Sequence, residues 1–160
     1  MDEERKKRIR LIGLALFIAY LVLLNHFLFF AEEYGRQALS EEMQYNLVPF
    51  REIRRFWNNR QTLGMSAVML NILGNVAAFI PLGMILPVIT PFIHIYPGAA
   101  QTVIAGFVYS LLVEITQMLT KVGSFDVDDL MLNTLGTAVG YLLFILGKKV
   151  FHGRRKSKLN

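Results

Sequence analysis

The sequence contains no cysteine, which excludes disulfide bonds and thiolate chemistry. It also has no glycine-rich phosphate loop and no G-x-S-x-G nucleophile elbow, so two common signatures of nucleotide-binding and hydrolytic enzymes are missing. The three histidines are scattered and show no spacing typical of a metal site or a catalytic triad. Charged residues make up only 18% of the chain. The distribution of apolar residues is therefore the main guide to the fold.

Long apolar runs alternate with short charged stretches, and 54% of the residues are hydrophobic. This pattern is typical of a polytopic membrane protein. We predict four transmembrane helices at about residues 9–30, 66–89, 101–119 and 130–147, since about 20 apolar residues cross a bilayer core. The predicted fold class is an all-α membrane protein, a bundle of four transmembrane helices that forms a single domain over residues 1–160.

Basic residues at the two ends of the chain predict its orientation. Four spans place both termini on one side, and the positive-inside rule places that side in the cytoplasm. Residues 148–160 are then a basic cytoplasmic tail, and residues 31–65 and 120–129 lie outside. Because the net charge of +5 comes mainly from these flanks, we expect contacts with membrane lipids and no nucleic-acid partner. The basic flanking residues are Arg5, Lys6, Lys7, Arg8, Arg10, Lys148, Lys149, Arg154, Arg155, Lys156 and Lys158.

The stretch "PFREIRRFWNNR", residues 49–60, predicts a short amphipathic helix in the first outer loop. Helical spacing puts Phe50, Ile53 and Phe56 or Trp57 on one face and the arginines elsewhere. That pattern suits a helix lying in the outer membrane interface. A solvated loop helix is the alternative.

Polar residues inside the spans are predicted to converge near the outer surface. Because successive spans run in opposite directions, the first half of the second and fourth spans lies level with the second half of the third. Residues one helical turn apart share a face, as do Asn71 and Asn75. The predicted ligand-binding set is Asn71, Asn75, Glu114, Gln117, Asp126, Asp128, Asp129 and Asn133.

The acidic residues in this set have functional and structural interpretations. An ionised carboxylate at the centre of a membrane helix costs about 2.5–3.5 kcal/mol, so such residues usually face the bundle interior or a water-filled cavity and suggest a function. Glu114 could instead be protonated or paired with an asparagine as interhelical glue. The three aspartates could cap the fourth span, contact a ligand, or hold Mg²⁺ or Ca²⁺, although no EF-hand spacing is present.

Four sequence blocks resemble the VanZ-like family, small bacterial membrane proteins named for a teicoplanin-resistance protein. In chain order they are "NLVPF" (46–50), "NILGNVAAFIPLGMILP" (71–87), "SLLVEITQ" (110–117) and "FDVDDLMLNTLGTAVGY" (125–141). One departure is that Lys121 and Val122 stand where an arginine often precedes the family's acidic box. The resemblance implies a bacterial plasma-membrane protein linked to reduced susceptibility to teicoplanin and related lipoglycopeptides. It implies no agreed catalytic residues.

The leading functional hypothesis is that the outer polar pocket binds an amphiphile, either a lipoglycopeptide or a lipid-linked cell-wall precursor. Phe50, Arg54 and Trp57 would form the entrance. One alternative is a membrane enzyme that modifies a lipid-linked head group, with Glu114 and Asp129 as acid or base and help from a divalent metal. Another is a scaffold for envelope enzymes, built on the G-x-x-x-G motif of Gly136 and Gly140. No cofactor is predicted with the first hypothesis.

Overall fold

The computed structural model describes residues 3–30, 45–89 and 97–157. The elements that it contains follow one another as α1 (Glu3–Phe30), β1 (Tyr45–Asn46), α2 (Arg51–Asn58), α3 (Arg60–Leu63), α4 (Met65–Ile89), α5 (Ala99–Thr120), β2 (Phe125–Asp126) and α6 (Val127–Ser157).

Four of these helices are long and apolar enough to cross a membrane, which confirms the predicted bundle of four membrane helices. The apolar stretches are Leu11–Phe29, Met65–Ile89, Ala99–Thr120 and Val127–Val150. Most side chains of each stretch face outward, because leucine and isoleucine in a membrane helix need no protein partner. The predicted basic tail begins within α6, which continues to Ser157. Residues 158–160 lie outside the described part of the chain.

Helices α4 and α6 form the closest pair in the bundle, and glycines allow their approach. A β-carbon on Gly136 or Gly140 would overlap the backbone carbonyl of Val76 or Ile80 on α4. A β-carbon on Gly83 would likewise overlap the carbonyl of Thr137 on α6. Small residues let helix backbones touch where side-chain packing alone would hold them apart. The G-x-x-x-G face of α6 therefore packs against α4 within the chain, and the scaffold role stays a prediction.

A small apolar core lies between α1, α4 and α5. It consists of Leu24 and Leu28 from α1, Phe79 and Leu82 from α4, and Val113 from α5. Two interhelical hydrogen bonds that involve tyrosine hydroxyls accompany it and fix the position of α1. Tyr20 donates to the carbonyl of Ala78 at 2.7 Å, and the Asn25 amide donates to the Tyr109 hydroxyl at 2.7 Å.

The segment from β1 to α2, residues 45–58, is called the surface segment here. It begins with a two-residue parallel bridge in which Tyr45 pairs with Phe125 and Asn46 pairs with Asp126. Helix α2 follows, with Ile53 and Phe56 half-buried and its arginines mostly exposed. The predicted short amphipathic helix is thus present. Because α3 connects α2 directly to the start of α4, the surface segment lies at the end of the bundle where α4 and α6 begin.

We predict that Gly140→Ala destabilises the protein, because the new methyl group meets the α4 backbone and the helices must separate. Overpacking of this kind costs about 1–3 kcal/mol. Gly147→Ala is the matched control, since its β-carbon meets nothing within 4 Å while the change in helix propensity is the same. Unfolding in mixed micelles followed by circular dichroism measures both. Equal stability of the two variants would contradict close packing of α4 against α6.

Candidate functional site

Seven of the eight predicted polar residues take part in hydrogen bonds at one end of the bundle, and Asn71 is the exception. Together with two residues that were not predicted, Asn46 and Ser110, these seven form what is called the polar network here. It joins the end of α1, the surface segment, α4, α5 and α6. Its members are Asn46, Asn75, Ser110, Glu114, Gln117, Asp126, Asp128, Asp129 and Asn133.

Asp128 holds the N-terminus of α2. Its carboxylate accepts hydrogen bonds from the backbone amides of Phe50, of Glu52 at 2.9 Å and of Ile53 at 3.2 Å. The first amides of a helix have no partner within the helix, and a carboxylate there also complements the helix dipole. Phe50 adopts a left-handed conformation with φ of 64°, which is rare for a bulky residue. Since Asp128 is only 1% exposed, it is an internal cap supplied by another helix.

Asp126 links the surface segment to α6. Its Oδ1 accepts from the Asn46 side chain at 3.1 Å and from the amide of Asp128 at 2.8 Å. The second bond caps the start of α6, as one of the sequence alternatives proposed. Burial raises the pKa of Asp126, and the two hydrogen bonds act in the opposite direction. The carboxylate is therefore held in a setting that penalises its charge and offsets part of that penalty with donors.

Helix α5 contributes three buried polar side chains to the polar network, Ser110, Glu114 and Gln117. Glu114, 2% exposed, accepts a hydrogen bond from the backbone amide of Asp126 at 2.8 Å. Gln117 donates to the carbonyl of Leu28 at 2.8 Å and so reaches the last turn of α1. Glu114 and Gln117 are three positions apart in α5 and share its buried face. Glu114 fixes the loop that precedes α6, and Gln117 fixes α1.

The remaining pairs connect α6 to α4 and α5. Asn75 donates to Asp129 at 2.6 Å, and Asn133 donates to Ser110 at 2.9 Å. Asn71 is half-buried one turn before Asn75, and the hydrogen bonds described here do not include it. The ligand-binding role assigned to these residues from the sequence stays a prediction.

The predicted entrance residues lie on the surface segment above the polar network. Trp57 is 52% exposed and Phe50 is 48% exposed. Arg54 is exposed on the same short helix. Leu47 and Val48, also exposed, precede them. An exposed apolar and cationic surface of this kind suits the membrane interface, where one side of a helix meets acyl chains and the other meets water.

The acidic cluster is not arranged as a metal centre in the described ranges. Within residues 3–30, 45–89 and 97–157, no three histidine, aspartate or glutamate side chains come together in a way that could hold a metal ion. The acids instead point to different protein donors, namely the α2 amides, the Asp126 amide and the Asn75 side chain. A role for Mg²⁺ or Ca²⁺ stays an untested prediction.

A family model described as VanZ/LLP1 matches residues 17–148, which include every member of the polar network. The chain belongs to the VanZ/LLP1 family. This confirms the resemblance seen in the four sequence blocks. No curated protein and no solved structure matches the chain.

Asn46 of this VanZ/LLP1 chain belongs to the polar network, but the sequence analysis did not predict it as a site residue. It is buried, donates to Asp126, and accepts from the amide of Val48 at 3.1 Å in an Asx-type turn. The sequence could have predicted this turn, because asparagine favours turns in which its side chain accepts from the backbone amide two residues on, and Pro49 follows closely. Lys121, which stands near the position of the expected family arginine, ends α5 in a left-handed conformation.

We expect Asp128→Ala to loosen the surface segment while the four membrane helices remain folded. Loss of a helix cap costs about 0.5–2 kcal/mol, or up to about thirtyfold in a local opening equilibrium. Amide hydrogen exchange measured by mass spectrometry should show faster exchange in peptides covering residues 50–58. Asp128→Asn, which keeps one acceptor oxygen, should give a smaller increase. Unchanged exchange in both variants would show that Asp128 does not hold α2.

A side-chain swap tests the pairing of α4 with α6. Asn75→Asp places a second carboxylate against Asp129 and should destabilise the protein by about 1–3 kcal/mol, because a buried acceptor then faces another acceptor. The double variant Asn75→Asp/Asp129→Asn restores one amide and one carboxylate and should recover most of that loss. Additive losses in the double variant, measured by unfolding in mixed micelles, would contradict a direct pair.

Proposed function

We propose that this VanZ/LLP1 protein lowers susceptibility to lipoglycopeptide antibiotics of the teicoplanin class by binding an amphiphile at the outer surface of the bacterial plasma membrane. Membership in the family and the four membrane-spanning helices support the coarse part of this proposal. The positive charges at both ends of the chain support placing the termini in the cytoplasm and the polar network at the outer face.

The observation that carries the proposal is the position of the surface segment. Phe50, Arg54 and Trp57 are exposed, yet Asp128 accepts from the backbone amides of this segment and Asp126 accepts from its Asn46 side chain. A surface that is held rigidly loses little conformational freedom when a ligand binds, which favours affinity. An acyl chain would lie against Phe50, Trp57 and the outer face of the bundle, and the head group would meet the polar edge of α2.

Within this proposal the exposed and buried residues have different roles. Phe50, Arg54 and Trp57 make the direct contacts. The carboxylates of Glu114 and Asp128, each no more than 2% exposed, support that surface from beneath. Six of the eight polar residues predicted as a binding pocket are buried, so they would contact the head group directly only after a local opening of the structure, whereas Asn71 and Asn75 are half-buried.

Teicoplanin susceptibility in a sensitive Gram-positive host tests the proposal. Cells expressing the wild type should be less susceptible than cells with an empty vector. Arg54→Gln and Trp57→Ala should lose this protection at unchanged membrane abundance, because they alter exposed side chains. Lys149→Gln, an exposed change near the C-terminal end of α6, is the matched control and should protect fully.

Two further variants test in the same assay whether the buried acids support the surface segment or contact the ligand themselves. Glu114→Gln keeps an oxygen that can accept from the Asp126 amide, and Asp129→Asn keeps one that can face Asn75. If these acids act as supports, both variants should retain part of the protection. Full protection by Arg54→Gln and Trp57→Ala would contradict the proposed contact surface. No protection by the wild type would contradict the antibiotic link for this member.

A further inference from the structure

Helix α2 carries three arginines on one side. Arg51, Arg54 and Arg55 follow the i, i+3, i+4 spacing and therefore occupy an arc of about 100° around the helix. This group is called the arginine face here. All three are exposed, whereas Ile53 and Phe56 on the opposite side are half-buried against the bundle.

The arginine face has more positive charge than its described surroundings neutralise. Arg55 forms an ion pair with Glu52 at 2.6 Å and lies over the Phe56 ring. Among the residues that the structure describes, Arg51 and Arg54 have no such carboxylate partner. Two further described acids at this end of the bundle, Asp126 and Asp128, are buried and bonded to backbone amides and Asn46. Within the described part of the chain, two guanidinium groups thus remain available at the level where α4 and α6 begin.

We infer that the arginine face binds the phosphate-bearing head group of an anionic membrane lipid. Guanidinium groups match phosphate geometry with two parallel hydrogen bonds, and they carry charge at any physiological pH. The exposed Trp57 and Phe50 beside them suit the upper part of acyl chains. The amides at the N-terminus of α2 are already bonded to Asp128, so the arginine side chains are the recognition groups.

This inference rests on the proposed function, in which the same surface receives an amphiphile, and it adds the sign of the head-group charge. A head group that is positive or neutral would gain nothing from Arg51 and Arg54. Asp126 and Asp128 do not reverse this preference, because both are buried and already bonded to donors of the surface segment.

The only tryptophan in the chain lies on α2, which makes the lipid environment of this helix directly measurable. The full chain is placed in nanodiscs made of phosphatidylcholine and phosphatidylglycerol, in which either one lipid or the other carries brominated acyl chains. Bromine quenches Trp57 fluorescence on contact. We expect brominated phosphatidylglycerol to quench Trp57 more strongly than brominated phosphatidylcholine at equal amounts. The physical reason is that each arginine enriches the anionic lipid around α2 by up to about fivefold.

Two double variants decide whether the arginine face is responsible. Arg51→Gln/Arg54→Gln should remove the preference for phosphatidylglycerol. Lys148→Gln/Lys149→Gln removes the same charge at the other end of α6 and should leave the preference intact. Equal quenching by both lipids in the wild type would overturn the inference. A preference that survives Arg51→Gln/Arg54→Gln, or that disappears in the lysine variant, would overturn it as well.

The lipid and antibiotic measurements can fail independently. A preference for phosphatidylglycerol that depends on Arg51 and Arg54, in a protein that gives no protection against teicoplanin, would leave the lipid site standing and remove the proposed function. Protection that depends on Arg54, in a protein with no preference for the anionic lipid, would leave the proposed function standing and remove the lipid site.

Discussion

Carboxylates that are buried at the end of a membrane helix bundle must be hydrogen-bonded, and most of the structure at this end of the protein follows from that constraint. An unpaired buried charge costs several kcal/mol, so each acid needs donors close at hand. Asp128 finds them in the backbone amides of α2, Asp129 in Asn75, and Glu114 in the amide of Asp126. By meeting this need, the acids join elements that are far apart in the chain.

The buried part of this end of the bundle therefore positions the exposed part. The close contact of α4 with α6, made possible by Gly83, Gly136 and Gly140, fixes the positions of the acids on α6. Those acids in turn fix the surface segment, although no residue of α2 is itself buried. A short helix with charged and aromatic side chains is a weak element in isolation, since eight residues rarely form a stable helix in water. Here it is ordered by Asp128 and so presents its arginines and Trp57 in one arrangement.

Much of this architecture could be predicted from the sequence. Apolar runs of membrane-spanning length predicted the four helices. The alternating direction of the spans predicted that Asn75, Glu114 and Asn133 lie at one depth. Neither prediction requires knowledge of how the helices pack. The partners of the aspartates were harder. Capping by Asp128 was considered only for its own helix, whereas it caps α2, more than seventy residues earlier in the chain. Periodicity reports which face a residue occupies, and it carries no information about which distant backbone amides lack partners.

The dependence of the surface segment on the buried acids is tested most directly by a distance measurement. Because the chain has no cysteine, spin labels can be attached at Asn58→Cys on α2 and Leu119→Cys on α5, both exposed positions at this end of the bundle. A second pair at Leu70→Cys and Leu142→Cys reports on the bundle itself. Electron–electron double resonance should give a narrow distance distribution for both pairs in the otherwise wild-type chain. Adding Asp128→Ala should broaden the first distribution and leave the second unchanged. A first distribution that stays narrow would show that the surface segment is held by something other than the buried acids.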